Sequence, residues 1–555
     1  MRNWRRYILA GLCFGFLFCF LVVPIGLAIR EGFLDEGQLT HKWLLHVFQY
    51  GPARQSLLNA LKVAAATTAG VMLLGLPLAL LNRYFTYPGK NLASALLLVP
   101  MILPPFVGAL AIKHLLAAEG GAVNQLLQAI GLGRVNWLGS GFAGVVILEV
   151  LHLYPIMYLN ASAALANVDP AMTEAARNLG ASRWQTFWRV TLPLIRPGLF
   201  AGGTIVFIWS FTELGTPLIV NYDVLPVKIF RGFRELGNPP EVFSMVFVML
   251  LASVILYALG RVLFGRAAGA MLGRGAAATA RRAGPLGTAG IWAAFGLVTL
   301  LAVMPHLGVL LKAFARQWGT TFPPQAYTLS HFKEVFTGQS TWNSIVNSFQ
   351  YASLATVIDV VVGLAIAYLV VRLRVRGRGL LDALAMLPLA VPGLVIASGY
   401  MALTRRGGPL EAIGPWQDPT IILVIAYSVR RLPYVVRSIS AGLQQTPETL
   451  EEAARNLGAS PLRSLLRITV PLILANVLAG AVLAFSFAML EVSDSLILAQ
   501  TPQFYPITKE IYGLVDLGGS ERAAALGSLG MLLLTATLIL ANLLLGKRLG
   551  AMFRV

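Results

Sequence analysis

Charged residues are scarce in this sequence: they make up 12% of its 555 residues, about half the share found in an ordinary soluble domain. Long runs contain no charge at all, and residues 7–29 include one of them. About 20 consecutive apolar residues in a helix span the core of a bilayer. The composition therefore excludes a soluble globular protein and predicts an all-α polytopic membrane protein.

Cysteine and histidine are scarce as well. The two cysteines, Cys13 and Cys19, lie in the same apolar run, and the six histidines are scattered. This spacing gives neither a disulfide framework nor a metal site. The sequence also lacks the G-x-x-x-x-G-K-[ST] phosphate loop, so we expect any ATP chemistry to be supplied by another chain. No clustered nucleophile points to a membrane enzyme.

Apolar segments recur along the whole chain, and we predict twelve transmembrane spans. They are residues 7–29, 56–82, 92–116, 141–166, 194–221, 243–264, 289–311, 344–371, 380–403, 419–442, 472–500 and 522–546. Basic residues concentrate in alternate loops, and basic loops stay on the cytoplasmic side. The net charge of +19 is thus a topology signal rather than a sign of nucleic-acid binding. We predict a multi-pass protein of the bacterial inner membrane, with both termini cytoplasmic and the first span retained as an anchor.

The sequence contains an internal repeat. The nine letters EAARNLGAS occupy residues 174–182 and again 452–460, and Asn59 and Pro100 correspond to Asn347 and Pro388. We therefore predict two parallel six-helix halves, 1–265 and 289–555, joined by a cytoplasmic linker at 266–288. Two parallel halves are typical of transporters with a path between them.

The repeated polar stretch lies in a cytoplasmic loop of each half, at 169–193 and 446–471. Asp169 before Pro170, and Thr446 before Pro447, are typical of a helix start. The glycine of each copy suits the left-handed residue that ends a helix. A second, amphipathic helix follows each glycine at the membrane surface. Its apolar positions are Trp184, Phe187 and Trp188 in one copy and Leu462, Leu465 and Leu466 in the other.

This loop resembles the signature loop of permease subunits of binding-protein-dependent ABC importers. The residues that carry the resemblance are Glu174, Ala175, Ala176 and Gly180, and again Glu452, Ala453, Ala454 and Gly458; Val470 replaces the usual leucine. The resemblance implies a type I importer fold and coupling helices that dock on two ATP-binding subunits. It also implies an extracytoplasmic substrate-binding protein, with ATP and Mg bound by the partner ATPase and no cofactor on this chain.

Acidic residues inside the spans are candidates for the substrate pathway. Glu213 and Glu491 occupy equivalent positions, and Asp494 lies one turn from Glu491. Either they favour a cation, or they form internal ion pairs, for example Glu491 with Arg430 or Arg431. We expect Asp359 and Lys62 to serve structure.

Duplicated single-chain permeases resemble the group that imports ferric iron, which is our predicted substrate. Thiamine, polyamines and phosphonates are alternatives. A secondary transporter with twelve helices is the alternative of a different class.

Overall fold

The computed structural model describes residues 3–101, 104–236, 239–268, 280–318 and 323–552. The predicted linker at 266–288 lies partly outside these residues. By length and apolar composition, eight helices in the described ranges can cross a membrane, and three bent helix pairs raise the number to eleven. The tenth predicted span corresponds to helix Thr420–Gln445, which carries three arginines and is not among the eleven.

Two compact units make up the chain, and they do not coincide with the predicted sequence halves. One unit comprises Met1–Tyr50, Ile229–Leu250 and Ser330–Val555, and the other comprises Gly51–Lys228 and Leu251–Leu329. We call them the C-unit and the N-unit, after the half that contributes most residues. The first span of each half belongs to the unit built mainly from the other half. The division of the repeat into halves 1–265 and 289–555 remains a prediction.

The N-unit consists of helices and one short two-stranded parallel sheet. Its strands are Phe85–Thr86 and Arg281–Arg282. Its helical elements are Gly51–Tyr84, Lys90–Leu96, Val99–Met101, Pro105–Leu116, Ala122–Ala129, Phe142–Ala166, Pro170–Asn178, Arg183–Thr186, Phe187–Thr191, Leu192–Thr212, Gly215–Val220 and Pro285–Phe314.

The C-unit contains one antiparallel strand pair, Leu34–Asp35 with Gln38–Leu39. Its helical elements are Asn3–Leu17, Phe18–Val22, Val23–Glu31, Lys42–Gln49, Ser330–Thr337, Gln339–Tyr368, Leu369–Leu373, Arg378–Met386, Leu387–Leu389, Gly393–Leu403, Glu411–Ile413, Thr420–Gln445, Thr449–Asn456, Pro461–Ser464, Leu465–Thr469, Val470–Leu472, Leu474–Met489, Ser493–Leu498, Pro502–Phe504, Ile507–Asp516 and Ser520–Met552. Helices Leu225–Leu236 and Pro240–Ala268 contribute residues to both units.

Glycines bring the second and fourth spans of each half close together. A Cβ added at Gly75 would lie 2.9 Å from the Met157 Cβ, and one at Gly363 would lie 2.9 Å from Val435 Cγ1. These two contacts join equivalent positions of the repeat, since Gly75 matches Gly363 and Met157 matches Val435. Small residues allow such close approach between helices in a membrane, where burial of apolar surface provides little drive. The core packing of the two halves is therefore the same at this crossing.

Candidate functional site

The first copy of the repeated loop folds as two helices joined at a glycine. Asp169 accepts a hydrogen bond from Ala171 N at 2.9 Å and caps helix Pro170–Asn178. Gly180 has φ +86°, a left-handed conformation that glycine adopts without the steric cost of a side chain. Ser182 and Gln185 then form a reciprocal capping box at the start of the next helix. The predicted local structure of this copy is confirmed.

The second copy has the same bend and a different start. Gly458 has φ +85°, and Ser460 Oγ accepts a hydrogen bond from Arg463 N at 3.3 Å. The predicted cap at Thr446 and Pro447 is wrong, because helix Thr449–Asn456 begins later and follows Glu448. The Thr446 hydroxyl instead donates to the Gly442 carbonyl of the preceding helix at 3.0 Å. The sequence does not reveal that this hydroxyl is engaged there.

The second helix of each copy leads into the fifth span, but the two copies do so differently. In the first copy, Arg183–Thr212 runs on as one helical segment through a π-helical turn at Phe187–Thr191. In the second copy, Pro461–Leu472 meets Leu474–Met489 at an angle of 77°. The amphipathic helix of the first copy is therefore the entry turn of its fifth span, whereas that of the second copy lies at a steep angle to the span that follows it.

Large apolar side chains are exposed on both loops. Leu179 and Leu457, which precede the bend glycines, are 89% and 90% exposed. Trp184 and Trp188 in one copy, and Leu462 and Leu466 in the other, are exposed as well. Glu174 and Ala175 of the first loop are exposed, as are Glu452 and Ala453 of the second. Exposed apolar groups beside polar ones are typical of a surface that contacts another protein.

Both predicted fifth spans are broken at their glutamate. In the N-unit, helix Leu192–Thr212 ends before Glu213, whose Oε1 accepts hydrogen bonds from Gly215 N at 3.0 Å and Thr216 N at 3.2 Å. In the C-unit, Glu491 Oε1 accepts from Ser493 N at 3.2 Å. Each carboxylate thus caps the short helix that follows the break. The predicted spans 194–221 and 472–500 are therefore interrupted at these residues, where the backbone opens.

Glu491 has two further partners, both arginines. The repeat has no arginine at the equivalent positions of the N-unit. Arg430 and Arg431 both form salt bridges with the Glu491 carboxylate. Arg430 Nη1 also lies 3.4 Å from Asp494 Oδ2. Glu491 is 4% exposed, and Asp494 is 0% exposed. The C-unit therefore holds two buried carboxylates and two partly buried guanidinium groups in one cluster, as the ion-pairing alternative predicts.

Asp359 and Lys62 lie apart from this capping arrangement. Asp359 is buried and accepts a hydrogen bond from Ser428 Oγ at 2.7 Å. Lys62 is exposed on helix Gly51–Tyr84. The described residues contain no group of three or more His, Cys, Asp or Glu side chains that could hold a metal ion.

Sequence reasoning missed two buried ionisable residues of the N-unit. Glu149 is 2% exposed, and its Oε2 accepts hydrogen bonds from Ser210 Oγ and, at 3.2 Å, from Thr67 Oγ1. Lys312 is fully buried and contacts His114 Nε2. A lone carboxylate in the apolar run VVILEVLHLY is the signal that would have found Glu149. Lys312 lies one residue beyond the predicted end of its span.

Comparison with known proteins adds a family to this geometry. The family model "Binding-protein-dependent transport system inner membrane component" matches residues 71–269 and 359–550, which together exceed half of the chain. The chain belongs to this family. It is an ABC permease with one family segment in each half, which confirms the predicted duplication. It is also a multi-pass inner membrane protein.

The relatives of this permease include transporters of different cargo. The ferric transport system permease protein FbpB of Actinobacillus pleuropneumoniae is 27% identical over 547 residues, covering 96% of this chain and 77% of the relative. The molybdenum transport system permease protein ModB of Escherichia coli is 33% identical over 171 residues, covering 30% of this chain and 71% of the relative. Among solved structures, a bacterial ABC transporter that imports alginate is 21% identical, with a TM-score of 0.38, over 48% of this chain and 96% of that one.

Proposed function

We propose that this permease forms the translocation path of an ATP-driven importer, receiving substrate from a binding protein and its energy from two ATP-binding subunits. The observation that carries the proposal is the duplicated bend with its exposed leucine, present in both halves of a member of this family. Two equivalent bent loops, each with an exposed leucine, suit contact with two copies of one ATPase. We further propose twelve spans in two parallel repeats, type I importer topology, and cytoplasmic termini.

Ferric iron is the substrate that we propose. The support is the similarity to FbpB, which extends over nearly the whole chain, whereas ModB matches less than a third of it. Thiamine, polyamines and phosphonates remain alternatives.

The pathway residues that we propose are Glu213, Glu491 and Asp494. Glu491 and Asp494 share their charge with Arg430 and Arg431. The binding protein then does most of the selecting.

Uptake of radiolabelled ferric iron into proteoliposomes tests function and substrate together. The vesicles contain the permease with its ATPase, and the binding protein is added outside. We expect uptake that requires ATP and is lost without the permease. Uptake driven by an ion gradient without ATP would instead indicate a secondary transporter. ATP hydrolysis stimulated by the binding protein, without iron uptake, would reject iron and keep the importer.

The coupling loops are tested by replacing both bend glycines. Gly180→Val with Gly458→Val forces a β-branched residue into a left-handed conformation, which disturbs the bend although open space surrounds both positions. We expect uptake to be lost while the permease still inserts in the membrane. Normal uptake by this double variant would contradict the role of the loops.

The pathway is tested by Glu213→Ala in a complex that still assembles fully. This variant should reduce uptake, and unchanged uptake would make Glu213 structural.

A further inference from the structure

An arginine ties the second coupling loop to the helix of the eighth predicted span. Arg372 lies in the π-helical turn Leu369–Leu373 that follows helix Gln339–Tyr368. Its Nε donates to Glu451 Oε1 at 3.0 Å, and its Nη2 donates to the Thr446 carbonyl at 2.6 Å. Tyr368 Oη donates to the other oxygen, Glu451 Oε2, at 2.9 Å. Both carboxylate oxygens of Glu451 are therefore engaged.

Burial makes this contact specific. The side chains of Arg372 and Glu451 are 6% and 5% exposed. Glu451 belongs to the first turn of helix Thr449–Asn456, the first helix of the coupling loop. A buried charge pair with its hydrogen bonds satisfied fixes one geometry, because any other leaves a charge unpaired away from water. The pair thus sets the position of the coupling helix against the eighth span.

The first coupling loop has no such tether. The repeat places Tyr84, Leu80 and Thr173 where the other half has Arg372, Tyr368 and Glu451. The Thr173 hydroxyl donates only locally, to the Pro170 carbonyl at 2.8 Å. Helix Pro170–Asn178, which lies wholly in the described residues, has no buried residue and no ion pair.

The polar contacts near the end of helix Gly51–Tyr84 run elsewhere. Asn82 Nδ2 donates to Tyr158 Oη at 2.8 Å, and Tyr87 Oη donates to Asn82 Oδ1 at 3.3 Å. The first contact joins the second and fourth spans, the second lies within the end of the second span and its following loop, and neither includes the coupling helix.

We propose that Arg372, Glu451 and Tyr368 are positioning residues that hold the second coupling loop rigidly to its span, so that the two ATPase contacts transmit motion unequally. The second coupling loop moves together with the helices to which it is tethered. The first coupling loop can shift before the helices of its half move. The proposal rests on the coupling role proposed above.

Spin labels at the two equivalent leucines measure rigidity without any ATPase. Leu179→Cys and Leu457→Cys are labelled separately in full-length permease in nanodiscs, with Cys13 and Cys19 replaced by serine. We expect the narrower electron paramagnetic resonance line at 179. Glu451→Thr, the residue of the other half, should narrow the line at 457 towards that at 179 and leave 179 unchanged, while Glu448 keeps its contacts with Arg372 and Arg374. Equal lines in the parent protein, or no response to Glu451→Thr, would overturn the tether.

The transport arm uses the assembled complex. Glu451→Thr and, separately, Arg372→Gln should lower the substrate transported per ATP hydrolysed by about fivefold or more, the range of a coupling free energy. ATP hydrolysis itself should continue. Tyr84→Ala, at the position that matches Arg372, is the control and should leave the ratio unchanged.

A ratio unaffected by both variants would overturn the unequal transmission even if the line at 457 narrows. Two variants that approach the pair from opposite sides guard against misfolding of one of them, which gel filtration detects. Absence of ATP-driven uptake by the parent complex would reject the proposed function instead, and the spin-label result would still decide the tether.

Discussion

At the break in the fifth span, the N-unit and the C-unit share a backbone arrangement and differ in charge. Glu213 and Glu491 each cap the short helix after the break. Glu491 is also bound by Arg430 and Arg431, and the repeat places His152 and Leu153 at the positions of these two arginines in the N-unit. His152 Nδ1 contacts the Pro100 carbonyl at 2.9 Å instead. Equivalent positions in a duplicated protein can therefore keep a conformational role while one of them takes on a structural ion pair.

A second difference lies in the lone buried carboxylates. The N-unit buries Glu149 against Ser210 and Thr67, whereas the C-unit buries Asp359 against Ser428. The repeat pairs Glu149 with Tyr427 and Asp359 with Val71, so these acids are not equivalent. Each half has thus acquired its own polar contacts inside a common helix framework.

The largest expected effect breaks the charge cluster of the C-unit. Glu491→Ala leaves Arg430 and Arg431, which are mostly shielded from solvent, without their main partner, and this should lower the free energy of unfolding by up to about 3–5 kcal/mol. Thermal unfolding of the purified permease in detergent measures the loss. Replacing Glu491, Arg430 and Arg431 together with apolar residues should recover part of it. An effect no larger than that of Glu213→Ala would contradict the difference between the units.

Ser210→Ala removes one of the two hydroxyl groups that bind Glu149 in the N-unit. We expect the free energy of unfolding to fall by about 1–3 kcal/mol, the cost of leaving a buried acceptor without one of its hydrogen-bond donors. Ser428→Ala, which removes the partner of Asp359 in the C-unit, should cost a similar amount. The same unfolding measurement compares them. If only one variant is destabilised, the two acids do not depend on their hydroxyl partners alike.

Gly75→Ala and Gly363→Ala test the packing that the units share. Each added methyl group would lie about 2.9 Å from the neighbouring span, and overpacking of this kind costs about 1–3 kcal/mol. We expect equal losses, near the low end of that range. Unequal losses would show that the crossing of the second and fourth spans has also diverged.

The smallest expected effect is that of Glu213→Ala on stability. Loss of a helix cap costs about 1 kcal/mol. The variant is informative because we expect a clear loss of substrate uptake together with only a small loss in the free energy of unfolding. A large loss of stability would place Glu213 in the same structural role as Glu491.

The sequence predicted the helical class, the duplication and the bend of each loop, because these depend on local patterns. Gly180 and Gly458 have the expected left-handed conformation, and Ser182 and Ser460 cap the helices that follow them. The partners of Glu491 were named only as an alternative, because Arg430 and Arg431 lie about 60 residues away and their packing follows from the fold. The start of helix Thr449–Asn456 in the second copy of the repeated loop was missed because Thr446 bonds to the helix before it.

The exchange of first spans between the two units has a consequence for biogenesis. Residues Met1–Tyr50 emerge from the ribosome well before Ser330–Val555, which forms most of the unit to which they belong. At about 5–20 residues per second, the first span waits in the membrane for roughly 15–55 seconds before its partners are synthesised. During that time its packing face contacts lipid or the insertion machinery. The C-unit, which contains Met1–Tyr50, is therefore completed only after the N-unit has been synthesised.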